Sequence, residues 1–155
     1  MGSLRQLTTV EVVDRVLGDG TAGFGDVRDE MIAAHDAAWA ATPPRVLELC
    51  RVRIAMMLGC DAEIAARTPD SGVEDAVLTA LAAWPNDARF DATDRACLAL
   101  TEHFVMDVAS LGDDTVAAVR EQLGEDGTQT FVTALLIVEQ RIRLRLAWDT
   151  LLEEN

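Results

Sequence analysis

Apolar positions along this chain recur every three or four residues, and the stretches that carry them are separated by clear breaks. That period belongs to helices packed through one face, not to strands. The breaks are Gly18 to Gly25, Pro43-Pro44, Pro69 to Gly72, Pro85 to Asp91, Gly112 to Asp114 and Gly124 to Gly127. Between them the pattern predicts a short amphipathic piece at Thr9 to Leu17, then a helix from Val27 to Ala41. The segment from Arg45 to Leu58 is apolar around most of its circumference, which marks a largely buried helix. Pro44 stands at its start, where a missing N–H costs nothing, and Gly59 ends it.

A short helix follows from Asp61 to Arg67. Ser71 and Glu74 have the spacing of a capping box for a helix from Val73 to Ala83. Asp91 or Thr93 can cap the next one, whose stripe is Cys97, Leu100, Phe104 and Val108. Asp113 or Asp114 opens another, with Val116, Val119 and Leu123 inward and Gly124 as its C-terminal cap. A last helix runs from about Gly127 to Leu152. Within it, Arg141 to Trp148 alternates with period two, as a strand would, but it continues the preceding apolar run without a breaker. A helix is therefore expected there, with Glu139 and Arg143 as an i,i+4 ion pair. The fold class is all-α, one domain over residues 1–155, with seven or eight helices.

Composition narrows the function classes. At 155 residues the chain can bury roughly two thirds of its unfolded surface. Its net charge is −14, with Arg as the only basic residue besides two His. Such an acidic surface repels phosphate backbones and anionic bilayers, so neither nucleic acid nor membrane is expected as a partner. No apolar run reaches the ~18 residues of a membrane span. The N-terminus has no signal-peptide pattern, and three Cys without paired spacing make no disulfide framework. A cytoplasmic location is the expectation. Two His and three Cys lack metal-ligand spacing, so no metal and no cofactor is expected.

Chemistry concentrates at RVLELCRVRIAMMLGCDAEIAAR, residues 45 to 67. Glu48 is an acid on an apolar helix. It is either a pocket carboxylate or a buried acid paired with Arg45 or Arg51. Cys60 begins the next helix, where the helix dipole favours thiolate while Asp61 and Glu63 oppose it. Glu63 and Arg67 are spaced i,i+4, as an ion pair contributing about 0.2–0.5 kcal/mol. His35 is a candidate general base, or else a surface or capping residue. Met57 is a candidate pocket wall. Cys50 and Cys97 fall on apolar stripes and read as core. His103 reads as a partly buried histidine.

These residues resemble the carboxymuconolactone decarboxylase family, which includes the AhpD-like alkylhydroperoxidases. The redox members of that family carry Glu, eleven residues, Cys, two residues, Cys, three residues, His. Glu48 and Cys60 match, while Glu63 stands where the second Cys would be and Arg67 where the His would be. Arg45, Leu49, Arg53, Ala55, Gly59 and the later FDATDRACLALTEHF also fit, and the likeness spans about Met31 to Leu152. It implies an AhpD-like helical bundle and a homo-oligomer (dimer, trimer or hexamer) in which the 45–58 helix and the last helix are shared at an interface.

A dithiol peroxidase needs a second thiol to resolve the sulfenic acid, and Glu63 cannot supply it. The leading expectation is a cofactor-free enzyme acting on a small organic substrate, as decarboxylase, isomerase or hydrolase. In it Glu48, Cys60 and His35 are catalytic, and Glu63, Arg67 and Met57 shape the substrate pocket. The alternatives are a non-catalytic scaffold or small-ligand-binding protein, and a single-Cys peroxidase.

Overall fold

The computed structural model describes residues 25–153. They form six α-helices and two 3-10 turns, with no strand among the described residues. The helices are α1 (Gly25–Ala41), α2 (Pro44–Leu58), α3 (Asp61–Ala65), α4 (Asp75–Ala80), α5 (Ala92–Met106) and α6 (Asp113–Glu153). The 3-10 turns are Leu81–Asn86 and Val108–Ser110. The all-α expectation therefore holds. The piece expected at Thr9 to Leu17 lies outside the described residues.

Local chemistry sets most of the ends. Pro44 sits in the first turn of α2. At its other end Gly59 adopts φ 72°, and its neighbourhood returns N–H groups to the Ala55 and Met56 carbonyls. This left-handed cap carries no Cβ penalty for glycine and reverses the chain into α3. Asp91 caps α5 through a reciprocal box with Asp94.

Three local expectations change, and the break at Gly124 holds as a bend. The Ser71–Glu74 box does not form: Glu74 itself is the N-cap of α4 without a side-chain bond, and Ser71 Oγ accepts from the Val73 N–H at 3.4 Å. The helix expected through Ala83 tightens into a 3-10 turn ahead of Pro85. Val108 leaves the α5 stripe, because the helix ends at Met106 and Val108 lies exposed in the following turn. Gly124 (φ 74°, ψ 176°) bends α6 into arms 113–123 and 125–153, two segments the sequence separates at the same glycine.

The core lies where α2 meets α5 and α6. Leu47, Leu49, Ile54, Leu98, Leu100, Phe131, Leu135 and Ile142 are all sealed from solvent. Cys50 and Cys97 join them, as the apolar stripes predict. So α2 is covered within its own chain from Val46 to Ala55, while Met56, Met57 and Leu58 at its end stay half-buried. Residues 141–148 are helical, and Arg143 Nη2 pairs with Glu139 Oε1 at 2.8 Å as expected. None of the described helices is long and apolar enough to cross a membrane.

Candidate functional site

Glu48 and Arg51 lie one turn apart on α2, both sealed from solvent. A buried charge is tolerated only when paired and fully hydrogen-bonded, and Arg51 meets that condition. Its Nε and Nη2 donate to Glu48 Oε2 and Oε1 at 2.9 and 2.7 Å. Its Nη1 donates to Glu63 Oε2 at 2.9 Å and to the Glu63 carbonyl at 2.7 Å. Nη2 also reaches the Ala66 carbonyl at 2.9 Å. All five guanidinium donors are engaged, and α3 is bound to α2 through them.

Glu48 receives two further bonds from Thr68, the backbone N–H at 3.0 Å and the hydroxyl at 2.5 Å. Burial pushes its carboxyl up, but the Arg51 fork and Thr68 outweigh burial and hold it below the usual carboxylate range. Of the two pairings open from sequence, Arg51 is the one formed. Arg45 reaches instead across to Asp94, Nη2 to Oδ2 at 2.8 Å.

Glu63 is the centre of the cluster. Besides Arg51 it accepts from Arg141 Nη2 at 2.7 Å and Arg145 Nη1 at 3.2 Å. Burial raises its carboxyl, and the charges of Arg141, Arg51 and Arg145 together override that and lower it. Arg141 and Arg145 stand i,i+4 on one face of α6, so a single turn of that helix delivers both cations to α3. Arg141 Nη1 also lies 2.5 Å from His35 Nε2. That contact makes His35 an acceptor, so the imidazole is neutral with its proton on Nδ1. Burial first, and the Arg141 charge second, depress its pKa to about 3.

The expected Glu63–Arg67 pair is not formed. α3 ends at Ala65, and Ala66 turns extended (ψ 153°). Thr68 is drawn to Glu48 and precedes Pro69, which disfavours a helical residue before it. Arg67 thus leaves the helix and pairs with Asp75, Nε to Oδ1 at 2.8 Å. Nor does Glu63 shape a pocket mouth, because it is 1% exposed. Met57 is half-buried on α2.

Cys60 is buried at the start of α3. Burial raises its thiol pKa; the Glu63 carboxylate adds to that, while the Glu63 N–H and Arg145 oppose it without reversing it. It shares no hydrogen bond with Glu48. Glu63 lies between them, bonded to the arginine that holds Glu48. The structure thus gathers Glu48, Glu63 and His35 into one network with Cys60 at its edge, and leaves Arg67 outside.

Arg141 and Arg145 are the members that sequence reasoning missed. Their signal was the period-two run RIRLRL: on a helix, arginines four apart in an otherwise apolar segment share one face, and that face must be answered by an acid.

Open volume lies to one side of this network. A cavity of about 80 Å³ between α1 and α6 is lined by Met31, Ala34, His35, Ile137, Gln140 and Arg141. It shares Ala34 and Ile137 with a groove of about 370 Å³ along the same two helices. Comparison with protein-family models, with curated proteins and with solved structures gives no match for this chain.

Proposed function

We propose that this protein is a cofactor-free, non-redox binder of a small organic ligand, built on a bundle like that of the AhpD-like proteins, with the ligand held between α1 and α6. What carries the reading is the state of the three groups expected to be catalytic. Glu48 has its lone pairs taken by Arg51 and Thr68 and no exposure. Cys60 is buried with a raised pKa, so the nucleophilic thiolate is scarce near neutrality. His35 is held neutral by burial and by Arg141. In place of a resolving thiol, Glu63 neutralises arginines from two helices. Glu48 and Glu63 are spent on joining α2, α3 and α6, and His35 on tying α1 to α6 through Arg141. Accessible volume beside the cluster is found in the α1–α6 groove; a second hollow of about 400 Å³, beside α5, is lined by Trp84, Glu102 and His103 and touches none of these groups. A cytoplasmic location and assembly into a homo-oligomer belong to the same proposal.

The test combines three measurements. No peroxide turnover is expected with dithiothreitol as reductant, and native Cys60 should react with a thiol reagent far more slowly than free cysteine. Glu48→Gln should lower stability by about 3–5 kcal/mol, because it takes from the buried Arg51 the carboxylate its fork grips and leaves Glu63 to answer three arginines. Binding of a neutral apolar probe such as octan-1-ol should persist in whatever fraction stays folded. Fast labelling of Cys60 with peroxide turnover would overturn the reading. So would a Glu48→Gln protein of normal stability that has lost a measurable turnover.

A further inference from the structure

We infer that the α1–α6 groove takes a small amphiphilic monocarboxylate, its head at Arg141 and its tail along the alanine floor. The inference rests on the binding reading above and names the ligand class for that site.

Arg141 is 8% exposed and lines the small cavity. Two of its nitrogens are engaged, by His35 and Glu63. Its buried Nε has no hydrogen-bond acceptor among the described residues. A buried guanidinium donor left unmatched costs free energy that an incoming acceptor would recover.

The unmatched donor, not an excess of charge, points to the kind of head group. Arg51, Arg141 and Arg145 face two sealed carboxylates, Glu48 and Glu63. A third acid, Asp149, partly exposed, pairs with Arg145 at 3.8 Å. The neutral His35 ring adds no charge. The acids thus match the arginines in number, and what is left over is the Arg141 Nε donor, which a carboxylate oxygen would satisfy and an ammonium could not.

Shape selects the head and the tail. About 80 Å³ is roughly half the volume of an engineered cavity, ~150 Å³, that admits benzene. It suits a carboxylate and one or two carbons. Ala34 and Ile137 then open it into the longer groove, where Ala37, Ala38, Ala41 and Ala134 offer a floor without bulk or charge. A linear alkyl chain can lie there, gaining roughly fourfold in affinity per buried methylene.

Titration calorimetry at pH 7 with sodium octanoate, octan-1-ol and octylamine tests this on the full chain. Octanoate should bind at least tenfold more tightly than the alcohol or the amine. Ala34→Trp, at the exposed junction of cavity and groove, should abolish octanoate binding without changing the melting temperature. It spares the charged cluster, so folding is not at issue as it would be for Arg141→Leu. Equal binding of octanol and octanoate would overturn the carboxylate inference while the binding reading survived. No binding of any of the three would overturn both. Octanoate binding unchanged in Ala34→Trp, or a change of oligomeric state in that variant instead, would place a different occupant in the groove and overturn the inference.

Discussion

Glu63 anchors three guanidiniums from two helices, so it is the residue whose loss should matter most. Replacing it by Gln keeps the shape and removes the charge, which leaves Arg51, Arg141 and Arg145 facing only Glu48 in the sealed cluster. Breaking a buried pair from one side costs about 3–5 kcal/mol. Glu63→Gln should therefore lose at least that much in urea denaturation, and a loss below 1 kcal/mol would mean the cluster is not held by charge. His35 makes a different prediction, in pH. Its folded pKa of about 3 lies below the ordinary 6.5, so the unfolded chain takes up a proton that the folded chain refuses. Its contribution to stability is complete above pH ~6.5 and falls as pH drops toward 3, by up to about 1.4 kcal/mol per unit. Glu48 and Glu63 are depressed acids, so their contributions begin to fade only below the ordinary carboxylate range. The interval from pH 6.5 to 5 thus isolates the histidine. His35→Gln, which keeps an acceptor for Arg141, should flatten that part of the stability profile; an unchanged slope would show that His35 is not buried neutral.

At the scale of elements, the signals that proved legible are those fixed by backbone chemistry. Pro44, Gly59, Asp91 and Gly124 each act through their own φ or hydrogen bond, and each marks an end or bend where the sequence places one. Glu48 and its arginine were legible for a similar reason: both sit on one helix, one turn apart. What was not legible depended on contacts far apart in sequence. Thr68 pulls the chain after α3 toward Glu48, which takes Arg67 off the helix and cancels an i,i+4 pair that spacing alone favours. Arg141 and Arg145 approach α3 from the other end of the chain, and local periodicity does not say which acid will answer them. The α2–α3 turn offers a direct test. Gly59 has φ 72°, and an added Cβ would meet no other atom within 4 Å, so only backbone conformation is at stake. Gly59→Ala should cost roughly 1–2 kcal/mol, the penalty of a left-handed residue with a side chain. A neutral result would show that the turn can relax without moving Cys60 and Glu63.

Across the whole molecule, charge is divided between two environments that respond oppositely to salt. The chain carries a net −14, spread over a surface where like charges repel and weaken the compact state. Its surface ion pairs, such as Arg120–Glu125 and Arg89–Asp87, are of the kind that contributes at most about 1 kcal/mol each. The Glu48–Arg51–Glu63–Arg141–Arg145 cluster is buried, with Arg141 alone at the edge of a cavity, and mobile ions screen little there. Raising sodium chloride from 0.02 to 0.5 M, on the order of a Debye length shrinking from ~20 to ~4 Å, should relieve the surface repulsion and leave the cluster intact. The melting temperature is then expected to rise, each ~1 kcal/mol of relief giving about 2–4 °C for a chain of this size. Glu63→Gln should show the same rise from a lower starting point, because the two effects act on separate charges. A fall in melting temperature with salt would mean that attractive surface pairs outweigh the repulsion. A rise that vanished in Glu63→Gln would mean that the arginine cluster, not the acidic surface, is what the salt reaches.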